Sequence, residues 1–89
     1  MRAYFTKDFK KAYAKRIQQN SVIARRFEER YDLFIENPQN EILRDHSLTG
    51  KLKGFRAFSI TGDIRAVYYI SGKTAYFVDI GSHNQVYGK

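Results

Sequence analysis

The apolar residues change their period near the chain's single proline, Pro38, and that change limits the fold more than any other feature. Before it, Phe9, Tyr13 and Ile17 recur at helical spacing, and Ile23, Phe27, Tyr31, Phe34 and Ile35 form a second helical stripe. Thr6 is placed to cap the first helix, with Asp8 in the first turn where the helix dipole favours a carboxylate, and Ser21 is placed to cap the second. Gln18, Gln19 and Asn20 interrupt the pattern, so the two helices are expected to form an antiparallel hairpin. Proline disfavours a helical residue before it, which predicts that the second helix stops near Asn37.

After Gly50 the pattern is that of strands. Three candidates span Leu52 to Ile60, Asp63 to Ile70 and Thr74 to Ile80, separated by Thr61-Gly62 and Ser71-Gly72-Lys73. In the first, Leu52, Phe58 and Ile60 share a face with Arg56, while Phe55, Ala57 and Ser59 take the other. The middle strand is apolar on both faces, as a strand covered on both sides requires. With a short extended piece at Arg2 to Phe5 the order is β-α-α-β-β-β. This predicts one α+β domain over residues 1–89, its helical hairpin on one face of a mainly antiparallel sheet and the other face lining a cleft.

Composition narrows the function classes. At 89 residues and 43% hydrophobic the chain suits one small folded domain. It has no cysteine, hence no disulfide framework or thiolate zinc site, and two histidines give a metal few ligands, so neither metal nor cofactor is expected. No apolar run reaches membrane-spanning length, and MRAYFTKDFKK alternates charge with aromatics rather than building a signal-peptide core, so the cytoplasm is the expected location.

The net charge of +7 is concentrated at the N-terminal end: residues 1–30 carry nine Lys/Arg against three Asp/Glu. Lys7, Lys10, Lys11, Lys15, Arg16, Arg25, Arg26 and Arg30 read individually as solvated helix faces, but a purely solvating face would mix its signs. The excess suits a nucleic acid and an acidic protein partner equally.

The stretch Asp45 to Ile70, DHSLTGKLKGFRAFSITGDIRAVYYI, carries the motifs, with GSHNQVYG following at Gly81 to Gly88. Asp45, His46, Leu48, Gly50, Lys53, Gly54, Phe55 and Arg56, then Asp63, then Gly81 and His83 resemble the RelE/ParE superfamily of bacterial toxins, and within it the YafQ-like branch. The resemblance implies the toxin of a type II toxin–antitoxin system. It also implies a RelE-like fold and a ribosome-dependent, metal-free mRNA endoribonuclease partnered by a cognate antitoxin and by the ribosome with its mRNA.

Metal-free RNA cleavage needs a base for the 2′-hydroxyl proton, an acid for the leaving 5′-oxygen and cations for the phosphate charge. His46 and His83 are the side chains whose ordinary pKa lies near neutrality. By the resemblance, His83 is the acid, His46 the base or a phosphate ligand, and Asp63 the group that orients or activates its neighbours. Arg65 matches an arginine set against the scissile phosphate, and Tyr87 an aromatic that stacks a base or contacts the scissile region. Lys51, Lys53 and Arg56 form the expected backbone-binding set.

Each residue also has a plainer reading. Asp63 after Thr61-Gly62 is what a hairpin turn prefers, Arg65 reads equally as a cross-strand ion-pair partner, and Tyr87 as a residue closing the core. Two positions depart from the branch: Ser59 stands where a further catalytic histidine is usual, and Ile64 where tryptophan is. Serine is no base near neutral pH, so one proton-transfer group is absent or moved. A ParE-like toxin that inhibits DNA gyrase by contact, without nuclease chemistry, is one alternative, though such toxins do not need the two histidines; a catalytically weakened relative is another.

Overall fold

The structure, a computed structural model, describes residues 1–88. Strand β1 (Arg2–Phe5) leads into helices α1 (Lys7–Arg16) and α2 (Ser21–Glu36), followed by β2 (His46–Ser47), β3 (Arg56–Ser59), β4 (Ile64–Ser71), β5 (Thr74–Ser82) and a short α3 (His83–Tyr87). The strands form one sheet in the order β1-β5-β4-β3-β2, in which β1 runs parallel to β5 and the other pairs are antiparallel. The expected α+β architecture is present, with β2 and α3 added to it.

The helix starts follow from their caps. Thr6 Oγ1 accepts the Phe9 N–H at 3.2 Å and donates to the Phe77 carbonyl at 2.7 Å, so one hydroxyl both starts α1 and ties it to β5. Helix α2 is capped by Asn20 rather than by Ser21: Asn20 Oδ1 accepts the Ile23 N–H at 3.1 Å, and Ser21 becomes the first helical residue. A cap of this kind stabilises by about 1 kcal/mol. The helix ends at Glu36, next to the Asn37 boundary that Pro38 predicts.

The hairpin covers one face of the sheet with an aromatic core. Phe77 of β5 lies at its centre, its ring 5.4 to 5.9 Å from those of Phe5, Phe9, Phe34, Phe58 and Tyr68. The second face carries a smaller cluster of Ala57, Val67 and Val86, against which Leu48, Phe55, Val78 and Tyr87 pack. Phe58 and Ile60 therefore face the helices and Phe55 and Ala57 the opposite side, as alternation requires.

Leu52 does not join that pattern. The chain from Gly50 to Leu52 winds into a single 3₁₀ turn between Gly50 at φ 66° and Gly54 at φ 97°, so β3 becomes extended only at Arg56. Both glycines occupy the left-handed region that other residues avoid.

One irregularity in the sheet positions the site. Val67 pairs with Asp79 and Tyr68 with Phe77, leaving Val78 bulged. Before the bulge Ala75 and Phe77 face the helices, and after it Ile80 does, while Arg65 comes to pair with Gly81 and Ile64 with Ser82. Beyond this register the chain enters α3.

Candidate active site

Three elements converge at one end of the helix-free face. The turn before β4 supplies Asp63, β4 supplies Arg65, and α3 supplies His83 and Tyr87. Ser82 starts α3 through a reciprocal capping box: Ser82 Oγ accepts the Gln85 N–H at 3.2 Å, and Gln85 Oε1 accepts the Ser82 N–H at 2.7 Å. The His83 N–H donates to Asp63 Oδ1 at 3.2 Å, which fixes the first residue of α3 against the hairpin turn.

The spacing of four residues on α3 brings the His83 and Tyr87 rings edge to face, with centroids 4.6 Å apart. Burial raises the Tyr87 pKa, partly opposed by the positive charge of Arg65 nearby. The Tyr87 hydroxyl is buried and has no hydrogen-bond partner among the described residues. Such a group costs about 1–3 kcal/mol.

Arg65 Nη1 donates to Ser59 Oγ at 3.0 Å. These two residues face each other across β3 and β4, and Ser59 is 8% exposed. The serine thus positions the guanidinium by accepting a bond, a role open to a hydroxyl that cannot serve as a base.

His46 occupies β2 opposite Ala57 and therefore shares the helix-free face. Its Nδ1 lies 3.0 Å from the Arg44 carbonyl oxygen, which can only accept, so Nδ1 carries the proton and in the neutral ring Nε2 carries the lone pair. His46, Leu48, Lys51, Asp79, Val86 and Tyr87 line a cleft of about 730 Å³. Tyr87 connects the cleft to His83, and through it the structure links five of the sequence-predicted residues, His46, Lys51, Asp63, His83 and Tyr87, with Arg65 alongside. Lys53 is exposed at the end of the 3₁₀ turn.

Arg56 is not brought to this cleft. It pairs with Tyr68 and faces the helix-bearing side, where Asp45 accepts from its Nε and Nη2 at 2.7 Å each. The hydrogen bond to Asp45, against a smaller opposing effect of burial, raises the arginine's pKa. The Tyr68 hydroxyl donates to the other Asp45 oxygen, and burial followed by this bond pushes the Tyr68 pKa well above its ordinary value. Asp45 is the partner of both residues, which the sequence did not distinguish from a motif letter. Ser82-x-x-Gln85, by contrast, carried a readable capping-box signal for α3.

Among the described residues no group of three or more His, Cys, Asp or Glu is placed to hold a metal ion, and no helix is long and apolar enough to cross a membrane.

A family model described as the bacterial toxin of type II toxin–antitoxin systems, YafQ, matches residues 1–88. The chain belongs to the YafQ toxin family. YafQ from E. coli shares the fold at a TM-score of 0.83, with 22% identity, 99% of this chain and 100% of that chain being covered. YafQ in the E. coli DinJ-YafQ toxin-antitoxin complex matches at a TM-score of 0.79, with 22% identity over 97% of this chain and 96% of that one. A copper-bound mutant toxin from Helicobacter pylori matches at a TM-score of 0.74, with 25% identity over 98% of this chain and 99% of that one. No curated protein matches the chain significantly. Gly81 has a steric basis in this chain: a Cβ there would lie 2.6 Å from Gln85 Oε1 and 2.8 Å from Arg16 Nη1.

Proposed function

We propose that this YafQ-family toxin is an endoribonuclease that cleaves mRNA in the decoding site of the ribosome by metal-free acid–base chemistry, with a cognate antitoxin as its restraining partner. The observation that carries the reading is the gathering of Asp63, His83, Tyr87 and Arg65: the His83 N–H donates to Asp63, the His83 and Tyr87 rings meet edge to face, and the Arg65 charge acts on the same buried phenol.

In the reaction His46 Nε2 takes the proton of the 2′-hydroxyl as that oxygen attacks phosphorus. The P–O5′ bond breaks, and His83, in its imidazolium form, gives its proton to the leaving 5′-oxygen. The products are a 2′,3′-cyclic phosphate and a 5′-hydroxyl. Arg65 stabilises the charge gathering on the phosphate, worth about 2.7–4 kcal/mol for one well-placed donor. Asp63 acts as a positioning residue by holding the start of α3. Tyr87 packs against the base beside the scissile bond, and Lys51 and Lys53 hold the flanking backbone.

The antitoxin partner is supported by family membership and by the E. coli relative whose structure is described as a toxin-antitoxin complex. The test strips the purified toxin of metal with chelator, then incubates it with magnesium-supported ribosomes stalled on a defined message, maps the cut by primer extension and identifies the upstream end. Cleavage at the occupied decoding site leaving a 2′,3′-cyclic phosphate is expected. Intact message, with inhibition of gyrase supercoiling by the same protein, would overturn the reading in favour of a contact inhibitor.

A further inference from the structure

Arg65 faces a second depression, of about 500 Å³, that it shares with Arg26 and Arg30 of α2 and with Arg44. Glu41 is the one carboxylate among the described residues that line it. Arg30 and Arg44 have no carboxylate within ion-pair distance among the described residues, and Arg26 reaches Glu29 only at 3.8 Å with both side chains about half exposed or more. An ion pair of that kind exchanges readily for a better anion. Arg30 is held in place by donating from Nη1 to the Ile42 carbonyl at 3.0 Å, which leaves its other donors free to turn toward the depression. Arg44 follows the single-turn 3₁₀ helix Glu41–Leu43 in the left-handed conformation, φ 51°, the one non-glycine residue so placed among those described.

We propose that this depression is a phosphodiester subsite that holds the backbone of single-stranded substrate RNA next to the bond being cut. The proposal rests on the ribonuclease reading, because Arg65 and Ser59 line the depression and also belong to the catalytic cluster. A guanidinium presents a planar fork that matches phosphate oxygens two at a time, and four of them around one small hollow suit a chain of phosphates. An acidic protein segment fits less well: the apolar lining is confined to Ile42 and Ile60, whereas a protein interface needs a desolvated apolar centre.

The test measures binding of a single-stranded RNA carrying 2′-O-methyl groups throughout, which cannot be cleaved, to the full-length toxin by fluorescence anisotropy over a salt series. Arg26→Glu and Arg44→Asn are combined; both side chains are exposed, and asparagine tolerates the left-handed conformation. The double variant is expected to bind roughly ten-fold more weakly, with the salt slope lowered by about 1.4 for two lost single-strand phosphate contacts at ~0.7 each. Glu41→Gln, which removes the opposing charge, is expected to tighten binding, a gain that misfolding could not produce.

Unchanged affinity and slope in the double variant would overturn the subsite. So would intact RNA binding with a loss confined to the antitoxin or to ribosomes lacking message. Because the methylated RNA reports binding without chemistry, the two readings fail separately: a wild-type toxin that cuts RNA while the slope ignores Arg26 and Arg44 refutes the subsite alone. One that binds through these arginines yet cuts no message refutes the nuclease alone.

Discussion

Asp45 takes one edge of the Arg56 guanidinium, Nε and Nη2 each at 2.7 Å, and its second oxygen accepts the Tyr68 hydroxyl. The carboxylate side chain is only 9% exposed, and the residue after it is His46. The network therefore pins the entry to β2 on the helix side of the sheet while His46 projects on the other. Asp45→Ala is expected to cost about 1–3 kcal/mol, because it leaves the Tyr68 hydroxyl buried without its partner. The Arg56 side adds little, since its side chain is 42% exposed and water can replace the carboxylate. Urea unfolding checks this: a lowered midpoint at unchanged slope is predicted.

The same network sets an alkaline limit. The Tyr68 pKa is raised from an ordinary value of 10.0, chiefly by burial, so above pH 10 the unfolded chain loses this proton before the folded one does. Stability is thus fully present below the unfolded value and is lost as pH rises through the folded one. Melting temperature is expected to fall above pH 10 in the wild type and less steeply in Tyr68→Phe. Equal slopes in the two proteins would contradict the assignment.

Gly81→Ala is expected to disturb α3 rather than the sheet. The new methyl meets Gln85 Oε1 and Arg16 Nη1, and both atoms are already committed, the first to the Ser82 N–H and the second to Asp79 and the Ile80 carbonyl. Relieving the clash breaks a cap or a cross-element bond, at about 1–2 kcal/mol. Loss of cleavage larger than the loss of stability explains is the expected signature, since His83 begins that helix.

How far such geometry could be read in advance differed by element. Thr6, Pro38 and the switch from helical to alternating period act through neighbours in sequence, and the hairpin, the strand faces and the order of helices and strands along the chain follow from them. Ser21 and Asn20 are both good caps one residue apart, and only the path of the incoming chain selects Asn20. Leu52 lost its strand because two left-handed glycines wind the chain first, a conformation the apolar pattern does not encode. Its place in the motif groups Arg56 with Lys51 and Lys53, yet strand parity puts it with Phe58, on the side where Asp45 lies. Asp45 itself, 23 residues from Tyr68, could be recognised as its partner only once the strands were paired.

Arg65→Lys keeps the charge but gives up the planar fork that reaches Ser59. The cleavage rate at saturating RNA is expected to fall roughly ten-fold or more, while Ser59→Ala, which frees the guanidinium without removing it, lowers the rate less. Single-turnover measurements separate the two. Equal rates for Arg65→Lys and wild type would mean that the guanidinium only balances charge.

The central claim is that His83 gives a proton to the leaving oxygen, and a single-turnover cleavage assay of His83→Gln on message-programmed ribosomes tests it most directly. The glutamine should keep α3 and the melting temperature while the cleavage rate drops by roughly 10²–10⁴, the usual worth of a positioned acid. A folded His83→Gln that cuts within about two-fold of the wild-type rate would contradict the account, since that change corresponds to less than ~0.5 kcal/mol of transition-state stabilisation.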